Sequence, residues 1–383
     1  MVAGPLTIVQ MLPELYSGGI ERGTLELGKY LVKQGHRSLV ISGGGPMVEQ
    51  LEAEGSHHVQ WSVGKKSLGS LKYIFPVRKL LQKEKVNILH LRSRLPAWIG
   101  YLAWKTLDKD SRPKLVTTFH GFYSINAYSG VMAKGERVIA ISNAIKEHVM
   151  AHYRVPAEKI SLIYRGVDET AFDPSAVSAA RIDALKQEWG IDTDTGPLIL
   201  LPGRLTSWKG QDVFLNSLAK LVHLDWTAVC VGELRQDSSF TRSIMDLLAR
   251  LQLGDRVKFA GVCRDMAAAY LAADLVVSAS SKEAEAFGRV AIEAQAMGRP
   301  VVATAHGGSL ETVLPGQTGW LVAPDDEDSL AQAIQAALAD RDLLLRYGEA
   351  GRQWVLNNFT TDIMCEKTVS LYNDLLSQGA GGV

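Results

Sequence analysis

Hydrophobic residues in the first half of the chain form short runs of β type that alternate with segments of helical periodicity. The runs stand at residues 6–12, 36–42, 86–91, 114–120 and 137–142. Helical patterns follow the first run at about 19–34 and the second at about 46–54. Because strands that alternate with helices form right-handed β-α-β units, this half predicts a parallel sheet with helices packed on it.

The same alternation restarts after a break at residues 161–174, where a Gly, a Pro and several acidic residues predict a hinge. A polar helix and the loop 193–197 follow, and then apolar runs at 198–203, 227–232, 256–261, 275–280, 300–305 and 319–323. We therefore expect two doubly wound α/β domains, at 1–170 and 171–360, that bind ligands at the carboxyl ends of their strands. We assign a last helix, at about 361–383, to the first domain.

Composition supports two domains and narrows the class of protein. A chain of 383 residues is too long to fold around a single hydrophobic core. Its 41 basic and 41 acidic residues balance, which argues against a dedicated nucleic-acid binder. The balance conceals an asymmetry, since residues 1–175 hold 23 basic and 15 acidic side chains. Either this half faces an anionic partner, such as a phosphorylated lipid or the inner-leaflet surface, or the helix surfaces simply differ in charge.

Cysteine spacing and hydropathy bear on the compartment. Cys230, Cys263 and Cys365 are far apart, so neither a disulfide framework nor a zinc site is expected, which fits a reducing cytoplasm. The apolar start of the chain lacks a preceding basic region and is typical of a buried strand rather than a signal peptide. The apolar stretch 95–104 is about half the length of a bilayer span, so we expect any membrane contact to be peripheral.

The first candidate for chemistry is GRLTSWKG, residues 203–210, at a predicted strand-to-helix turn. Arg204 can bind two phosphate oxygens at once, and Lys209 supplies a compact positive charge. The turn therefore is a candidate phosphate site, although it lacks the Walker A spacing and no GxGxxG sequence follows any strand. By itself such a pair is more often ordinary surface charge.

The second candidate is EAEAFGRVAIEAQAMG, residues 283–298, which carries Glu285 and Glu293. A helix predicted to begin near Gly288 or Arg289 would point its free amides and its positive dipole end at an incoming anion. At a rise of about 1.5 Å per residue the two carboxylates lie roughly 10 to 12 Å apart. Because the carboxylates of a glycosidase lie roughly 5 to 10 Å apart, these two more plausibly hold the two ends of a nucleotide sugar.

These motifs and their order resemble the retaining family 4 glycosyltransferases of the GT-B fold. The resemblance covers almost the whole chain: SGGIERGTLELGKYLVKQGH is similar to the glycine loop and first helix of the family, VTTFHG to its histidine loop, and IYRGVDETAF to its hinge. It implies two Rossmann-like, doubly wound parallel-sheet domains that face each other across a cleft. It also implies an N-terminal domain for the acceptor and a C-terminal domain for the nucleotide sugar.

The resemblance implies a role for each matching residue. Arg204 and Lys209 neutralise the donor diphosphate as the glycosidic bond breaks, Glu285 binds sugar hydroxyls beside the anomeric carbon, and Glu293 binds the ribose. His120 contacts the sugar or orients the acceptor hydroxyl, although a histidine that ends a buried strand can also be purely structural. The backbone amides around Phe287, Gly288 and Val290 complete the diphosphate site. Gly18 and Gly19 let the first domain approach the donor closely.

The family also implies a mechanism and a donor. The donor is a UDP- or GDP-sugar, no cofactor is needed, and configuration is retained by front-side attack, with the leaving phosphate oxygen as base. No Asp-x-Asp metal motif stands in a suitable loop, so we predict metal independence. Recognition of the base would rely on backbone groups near the end of one strand, at Gly261, Val262, Cys263 and Arg264.

Two departures from the family pattern point to a subgroup. Arg165 stands where the hinge often has Asn, and Ala284 stands where Pro often precedes the first Glu. LRSRLPAW and YSGVMAKGERVIAIS resemble the bacterial branch that builds lipopolysaccharide or capsule. Arg92, Arg94 and Lys134 then become candidates for an anionic saccharide or lipid-linked acceptor. A further group of basic residues either faces the membrane or forms an ordinary solvated surface: Lys65, Lys66, Lys72, Arg78 and Lys79.

Three other functions share parts of this pattern. A nucleotide-sugar epimerase requires further acid/base carboxylates, and a phosphorylase requires a lysine for pyridoxal phosphate. A nonenzymatic module that binds nucleotide sugars has no need for the full set of Arg204, Lys209, Glu285 and Glu293. The pattern therefore favours the transferase over all three.

Overall fold

A computed structural model describes residues 4–16, 18–191, 196–235 and 237–380. Ser17 of the glycine loop, most of the loop 193–197 and the last residues of the predicted terminal helix, 381–383, lie outside the described residues. The chain divides into two compact units. Unit 1 consists of the residues up to Gly166 together with those from Thr361 onward, and unit 2 is Val167–Thr360.

Unit 1 is built on a parallel sheet, seven-stranded in the described residues, in the order β3-β2-β1-β4-β5-β6-β7. The strands are β1 Thr7–Met11, β2 Arg37–Ser42, β3 His57–Gln60, β4 Ile88–Leu91, β5 Lys114–Phe119, β6 Arg137–Ala140 and β7 Ile160–Leu162. The α-helices are α1 Gly19–Lys33, α2 Val48–Ala53, α3 Ile74–Lys83, α4 Arg94–Lys105 and α5 Asn143–Tyr153, and short 3₁₀ helices span Leu68–Tyr73, Ser129–Lys134 and Ala157–Lys159.

Unit 2 repeats this architecture with a parallel sheet, six-stranded in the part described, in the order β10-β9-β8-β11-β12-β13. Its strands are β8 Leu198–Pro202, β9 Thr227–Val231, β10 Val257–Gly261, β11 Leu275–Ser278, β12 Val301–Thr304 and β13 Gly319–Val322. Its helices are α6 Ala179–Glu188, α7 Gln211–Ala219, α8 Ser239–Arg250, α9 Met266–Ala272, α10 Arg289–Ala296, α11 Ser309–Thr312, α12 Glu327–Ala339 and α13 Arg341–Asn358, and a 3₁₀ helix spans Pro174–Ala176.

The predicted pair of doubly wound parallel sheets is confirmed, and a strand stands at each apolar run. Two strands were not predicted. His57–Gln60 is a short edge strand of mostly polar, partly exposed residues, so it has no hydrophobic signal. Ile160–Leu162 lies where the sequence predicted the beginning of the hinge, and its pairing with β6 decides its conformation. Tertiary pairing therefore extends the first sheet at both edges.

A terminal helix, α14 Thr361–Ala380, packs on unit 1. Its buried residues Met364, Cys365 and Tyr372 join a cluster with Ile8 of β1 and Ile88 of β4. The chain thus returns to the first sheet after completing the second unit. The compact units divide between Gly166 and Val167. That residues 1–170 bind the acceptor and residues 171–360 the nucleotide sugar stays a prediction.

Candidate functional site

Two loops of unit 2 meet where the order of its sheet reverses. One loop follows β8 and carries Lys209, and the other follows β11 and carries Glu285. Because β8 and β11 are neighbours from which the sheet grows in opposite directions, their exit loops diverge and leave a crevice, the usual ligand site of such folds. In this position Lys209 Nζ lies 2.5 Å from Glu285 Oε1.

Backbone contacts fix the approach of these loops. Trp208 O accepts a hydrogen bond from Ser281 N at 2.8 Å, and a Cβ at Gly210 would lie 1.8 Å from Ala279 O. Gly210 also has a φ of 71°, in the left-handed region that glycine tolerates. Only glycine fits at this point, so the KG sequence carries a steric requirement as well as a charge.

The carboxylate of Glu285 has a second fixed partner. Ser280 Oγ donates to Glu285 Oε1 at 2.6 Å, and the Lys209 and Glu285 side chains are 15% and 13% exposed. On the backbone, Glu285 O accepts from Gly308 N at 2.8 Å. The ion pair is therefore largely desolvated and held in one geometry, which strengthens its electrostatic interaction with any charged ligand.

Glu293 has an entirely different set of partners. Arg289 Nη2 and Nε donate to Glu293 Oε1 at 2.9 and 3.1 Å, and Tyr270 OH donates to Glu293 Oε2 at 3.0 Å. Burial raises the pKa of Tyr270 well above its usual value, and the adjacent Glu293 carboxylate adds to the shift. Tyr270 therefore stays protonated and donates its hydrogen to Glu293, which orients the carboxylate.

The amino end of α10 lies between the two glutamates in the sequence, as predicted. Gly288 is the N-cap residue, with a φ of 87°, and Phe287 is 3% exposed and packs against Phe359 with ring centroids 5.8 Å apart. Because the Phe287 ring is buried, only the backbone of this residue could contact a ligand. The eight-residue helix then presents the amides of its first turn, including that of the half-buried Val290, at the same loop.

Arg204 is exposed, whereas Lys209 is not. Among the described residues no carboxylate lies within ion-pair distance of the Arg204 guanidinium, and its carbonyl accepts from Gln211 Nε2 at 3.0 Å. The backbone at Arg204 is thus fixed while its side chain is free to turn. Lys209 and Arg204 therefore differ: the first is already paired, and the second can follow a bound anion.

The proposed base-recognition residues stand at the end of β10. Gly261 has a φ of 68° and its carbonyl accepts from Gly232 N at 2.7 Å. Val262 is 68% exposed, Arg264 is exposed, and burial raises the pKa of the half-buried Cys263 thiol. The exposed Val262 offers an apolar surface, and the contact with a base stays a prediction.

In unit 1 the glycine loop follows β1 and is anchored from the hinge. Arg165 Nη2 donates to Gly19 O at 2.5 Å and lies 3.7 Å from Glu26 Oε2, and Arg165 Nη1 contacts Met364 Sδ at 3.6 Å. A Cβ on Gly23 would lie 2.1 Å from Arg165 Nη1, so the glycine leaves room for the guanidinium. Arg165, which stands where the family often has Asn, therefore links the glycine loop at Gly18 and Gly19 to the segment after β7.

His120 follows β5 directly and His90 lies inside β4. Burial lowers the pKa of both histidines well below the usual value, with Arg92 adding to the shift in each case. Both ring nitrogens of His90 have hydrogen-bond partners, since Nδ1 lies 2.7 Å from Tyr372 OH and Nε2 lies 2.7 Å from Thr118 Oγ1. His120 Nε2, by contrast, is buried with no hydrogen-bond partner among the described residues. The two histidines are therefore neutral and differ in what they offer a ligand.

Arg92 follows β4 directly and is 3% exposed. Its Nη1 donates to Gln10 Oε1 at 3.0 Å, but within the described part of the chain it has no carboxylate partner, and its Nε is buried without an acceptor. Arg92, His120 and Arg165 line one cavity of about 20 Å³, enough for a single water-sized group. Among the cavity's lining residues only His120 is partly exposed, although its Nε2 is buried.

The other predicted acceptor residues do not join this cavity. The Arg94 guanidinium lies 4.9 Å from the ring centroid of Tyr123 and 5.5 Å from that of Tyr128. Its Nη1 donates to Ser129 Oγ at 3.4 Å, and Lys134 is exposed. The structure thus places Arg92, Arg94 and Lys134 in three different environments, and their contact with an acceptor stays a prediction.

Several partners were missed by reasoning from the sequence. Tyr270 and Ser280 are uncharged residues in apolar segments, and Gln10 lies inside β1, so none carries a signal of its own. A polar residue at the last positions of a buried strand or just beyond it, as at Gln10 and Ser280, is the feature that could have marked two of them.

Two absences concern the part of the chain that the structure describes. No three His, Cys, Asp or Glu side chains there cluster in a way that could hold a metal ion. No helix within the same residues has both the length and the apolar character to cross a membrane.

Comparison with known proteins places these features in a family. The sequence model of Glycosyltransferase Family 4 matches residues 17–171, and that of Glycosyl transferases group 1 matches residues 182–354. A solved glycosyltransferase from Rickettsia africae ESF-5 is 36% identical, with a TM-score of 0.90 over 97% of this chain and 99% of its own. The structure of Anabaena Alr3699/HepE in complex with UDP and glucose is 25% identical, with a TM-score of 0.81 over 96% and 99% of the two chains.

A curated relative agrees with these matches. The N-acetyl-alpha-D-glucosaminyl L-malate synthase of Bacillus anthracis is 29% identical over 373 residues, which cover 93% of this chain and 94% of that protein. Similarity thus extends through both units rather than through one of them. The chain belongs to the glycosyltransferases in which a family 4 domain is followed by a group 1 domain.

Proposed function

We propose that the protein is a retaining glycosyltransferase that moves a sugar from a UDP- or GDP-sugar to an acceptor hydroxyl without a metal ion or other cofactor. The observation that carries the proposal is the desolvated Lys209–Glu285 pair beside the amino end of α10. It puts a cation, a carboxylate and the amino end of a helix at one loop. A nucleotide sugar requires these three groups for its diphosphate and its sugar hydroxyls.

Lys209 and Arg204 serve the leaving diphosphate. Charge grows on the phosphate oxygens as the bond from the anomeric carbon breaks, so cations fixed nearby stabilise the transition state more than the ground state. Lys209 is already desolvated and oriented by Glu285, and Arg204 is free to close onto the phosphate. The arrangement supplies two positive charges where a divalent ion would otherwise act.

Glu285 and Glu293 hold the two ends of the donor. Ser280 and Lys209 both contact Glu285 Oε1, so its second oxygen can accept a sugar hydroxyl. Glu293, oriented by Arg289 and Tyr270, accepts from the ribose hydroxyls. Binding of UDP and glucose by the Anabaena protein supports a UDP-sugar as donor.

The reaction needs no carboxylate nucleophile. The acceptor oxygen bonds to the anomeric carbon on the face that the diphosphate leaves, the carbon–oxygen bond to phosphate breaks, and the acceptor proton passes to a phosphate oxygen. Glu285 is held by Lys209 and Ser280, which suits binding rather than nucleophilic attack. His120 is neutral because burial depresses its pKa, so its buried Nε2 can orient a hydroxyl.

We infer that the acceptor carries an anionic group. Arg92 is a buried cation without a carboxylate partner in the described residues, and an unpaired buried charge is costly unless a ligand completes it. The name of the Bacillus anthracis relative includes L-malate, a dicarboxylate, which supports an anionic acceptor here. The residues LRSRLPAW and YSGVMAKGERVIAIS favour a saccharide or lipid-linked acceptor of lipopolysaccharide or capsule synthesis, at the cytoplasmic face of the inner membrane.

The test of the donor site is thermal stabilisation by a panel of UDP- and GDP-sugars and free nucleotides, with and without EDTA. We expect one nucleotide sugar to raise the midpoint of unfolding equally in both conditions, and Glu293→Gln to lose most of that shift. NMR of the product formed from the same donor should show the anomeric configuration unchanged. An inverted product, or a shift that EDTA abolishes, contradicts the mechanism.

The same assay separates the rival functions. An epimerase would convert the nucleotide sugar without any acceptor and without releasing nucleotide. A binding module would be stabilised by the donor but would release no nucleotide even over long incubation. A transferase should release nucleotide slowly by hydrolysis, and Glu285→Ala should stop this release.

The test of the acceptor site uses malate and inorganic phosphate as probes. We expect at least one of them to stabilise the wild type and to lose this effect in Arg92→Gln, while Lys220→Gln, a change at an exposed lysine, keeps it. Stabilisation equal to about 2.7 kcal/mol is expected at a hundred times the dissociation constant. Equal stabilisation of wild type and Arg92→Gln would remove Arg92 from the acceptor site.

A further inference from the structure

A cavity of about 70 Å³ lies in unit 2 at the edge of the sheet opposite to the loops of Lys209 and Glu285. Two of its lining residues, Asp274 and Pro300, directly precede β11 and β12, so the cavity is at the amino ends of these strands. Both candidate loops follow carboxyl ends. We call it the Arg299 cavity, and it is lined by Asp274, Arg299, Pro300, Arg341, Leu344 and Leu345. The function proposed above uses none of these residues.

The guanidinium of Arg299 is fixed in place but lacks one hydrogen bond. Its Nη2 donates to Leu271 O at 2.5 Å. Its Nε is buried and has no acceptor among the described residues. A buried donor without an acceptor costs free energy, and a ligand in the cavity that Arg299 lines can supply the missing acceptor.

The charges of the cavity are not neutralised from within the chain. Arg299, Arg341 and Asp274 line it, and none of the three forms an ion pair in the part of the chain that the structure describes. Asp274 Oδ2 accepts a hydrogen bond from Leu198 N at 2.8 Å, which leaves Oδ1 for a ligand. Two cations and one carboxylate together favour an anion that also carries a proton.

We propose that the Arg299 cavity binds inorganic phosphate. Guanidinium groups bind phosphate oxygens through charge-assisted and often bidentate hydrogen bonds. At about 10 to 15 Å³ for each water-sized group the cavity has room for about five, and phosphate consists of one phosphorus and four oxygen atoms. Arg341 is exposed and Leu345 is 59% exposed, so the cavity is open to a ligand from solvent.

Asp274 selects phosphate among the oxyanions. A carboxylate only accepts hydrogen bonds, so it repels sulfate, which has no proton to donate at neutral pH. Inorganic phosphate keeps at least one proton at this pH and donates it to Asp274 Oδ1. A phosphomonoester has a second pKa of about 6 and is mostly unprotonated at pH 7.5. The lining therefore fits inorganic phosphate better than either of the other anions.

The experiment is equilibrium dialysis of the full chain against radiolabelled inorganic phosphate at pH 7.5, without and with excess sulfate. Sulfate should occupy the sites that recognise charge alone, such as those at Arg92 or Lys209, and should leave the Arg299 cavity to phosphate. Glycerol 1-phosphate is the second competitor and represents the phosphomonoesters. The bound phosphate is counted per chain.

Three variants locate the bound phosphate. Arg341→Gln removes an exposed cation of the cavity, Arg299→Lys keeps the charge but loses the planar fork, and Asp274→Asn removes the carboxylate. Arg346→Gln is the matched control, because Arg346 is an exposed arginine of the same helix outside the cavity lining. Thermal unfolding without phosphate shows that each variant folds.

In excess sulfate we expect the wild type and Arg346→Gln to keep one bound phosphate per chain. Arg341→Gln and Arg299→Lys should each bind it at least tenfold more weakly, because each loses charge-assisted hydrogen bonds. In Asp274→Asn, sulfate and glycerol 1-phosphate should displace the phosphate that they leave bound to the wild type.

Three results would overturn the proposal. They are equal phosphate binding by the wild type and Arg341→Gln, displacement of all phosphate from the wild type by sulfate, and a wild type that binds no phosphate. In the last case the cavity holds only water. None of these results bears on nucleotide release, which depends on the loops at the other edge of the sheet.

Discussion

The polar residues at the strand ends of the two units differ in one respect. In unit 2, Lys209 and Glu285 neutralise each other at 2.5 Å, and Glu293 is bound by Arg289 and Tyr270. In unit 1, Arg92 and His120 line one cavity with buried nitrogen atoms that have no partner among the residues described. Both regions lie at carboxyl ends of parallel strands, so topology alone does not explain the contrast.

The two regions are therefore prepared for a ligand in different ways. A site whose charges pair internally keeps its geometry in the absence of ligand, and the ligand then competes for the same partners. A site with unpaired buried polar atoms costs stability until a ligand or water satisfies them. If the protein has the proposed function, the internally paired site of unit 2 suits the diphosphate donor, and the site of unit 1 with unpaired buried atoms suits an anionic acceptor.

The largest effect should come from removing the cation of unit 2. Lys209→Ala should lower turnover about 10²- to 10³-fold, because the lost charge stabilises the leaving diphosphate, with the protein still folded. The measurement is nucleotide release under saturating donor. Lys220→Ala is the control, since Lys220 also pairs with acids, Asp328 at 2.6 Å and Glu327 at 3.7 Å, but on an exposed surface. Turnover within threefold of wild type in Lys209→Ala would show that the pair is only structural.

A second change tests whether unit 1 also contains an internally paired group. Arg165→Ala should lower the free energy of unfolding by about 3 kcal/mol, because it leaves the mostly buried Glu26 carboxylate without its cation and Gly19 O without its donor. Denaturant titration measures this.

The matched variant for Arg165→Ala is Arg181→Ala. Arg181 makes a bidentate pair with Asp265 at 2.8 and 2.9 Å, but in an exposed setting, so a much smaller change is expected. If the two variants lose equal stability, the hinge arginine is not a special anchor of the glycine loop.

The smallest effect concerns pH and the two histidines of unit 1. Burial lowers the pKa of His90 and His120 in the folded protein, so below about pH 6.5 the unfolded chain takes up protons that the folded chain does not. Stability is therefore complete above that pH and falls as the pH drops. At pH 5.5 the loss should be about 1.4 kcal/mol for each histidine.

His120→Asn should reduce the loss of stability between pH 7.5 and pH 5.5 by about 1.4 kcal/mol, which denaturant titrations at the two pH values would measure. Burial raises the pKa of Glu21, which acts in the opposite direction at lower pH, so the comparison stops at pH 5.5. A pH dependence unchanged in His120→Asn would mean that its imidazole is protonated in the folded state.

Sequence reasoning was most successful where the signal is periodic or local. Apolar runs predicted every described strand of both sheets except β3 and β7, and the glycine before Arg289 predicted where α10 begins. It failed at His57–Gln60, whose polar residues give no hydrophobic signal, and at Ile160–Leu162, whose conformation depends on its neighbour in the sheet.

Which side chains can carry a charge follows from the sequence alone, because charge is a property of the single residue. The steric need for glycine at positions 210 and 23 does not, because it depends on Ala279 and Arg165, which are distant in the chain. Three features come from the folded chain instead: Lys209 pairs with Glu285, 76 residues away, Tyr270 orients Glu293, and Arg92 is buried without a carboxylate partner in the described chain. The physical reason is that a parallel sheet brings distant strand ends together in an order that the spacing of residues along the chain does not record.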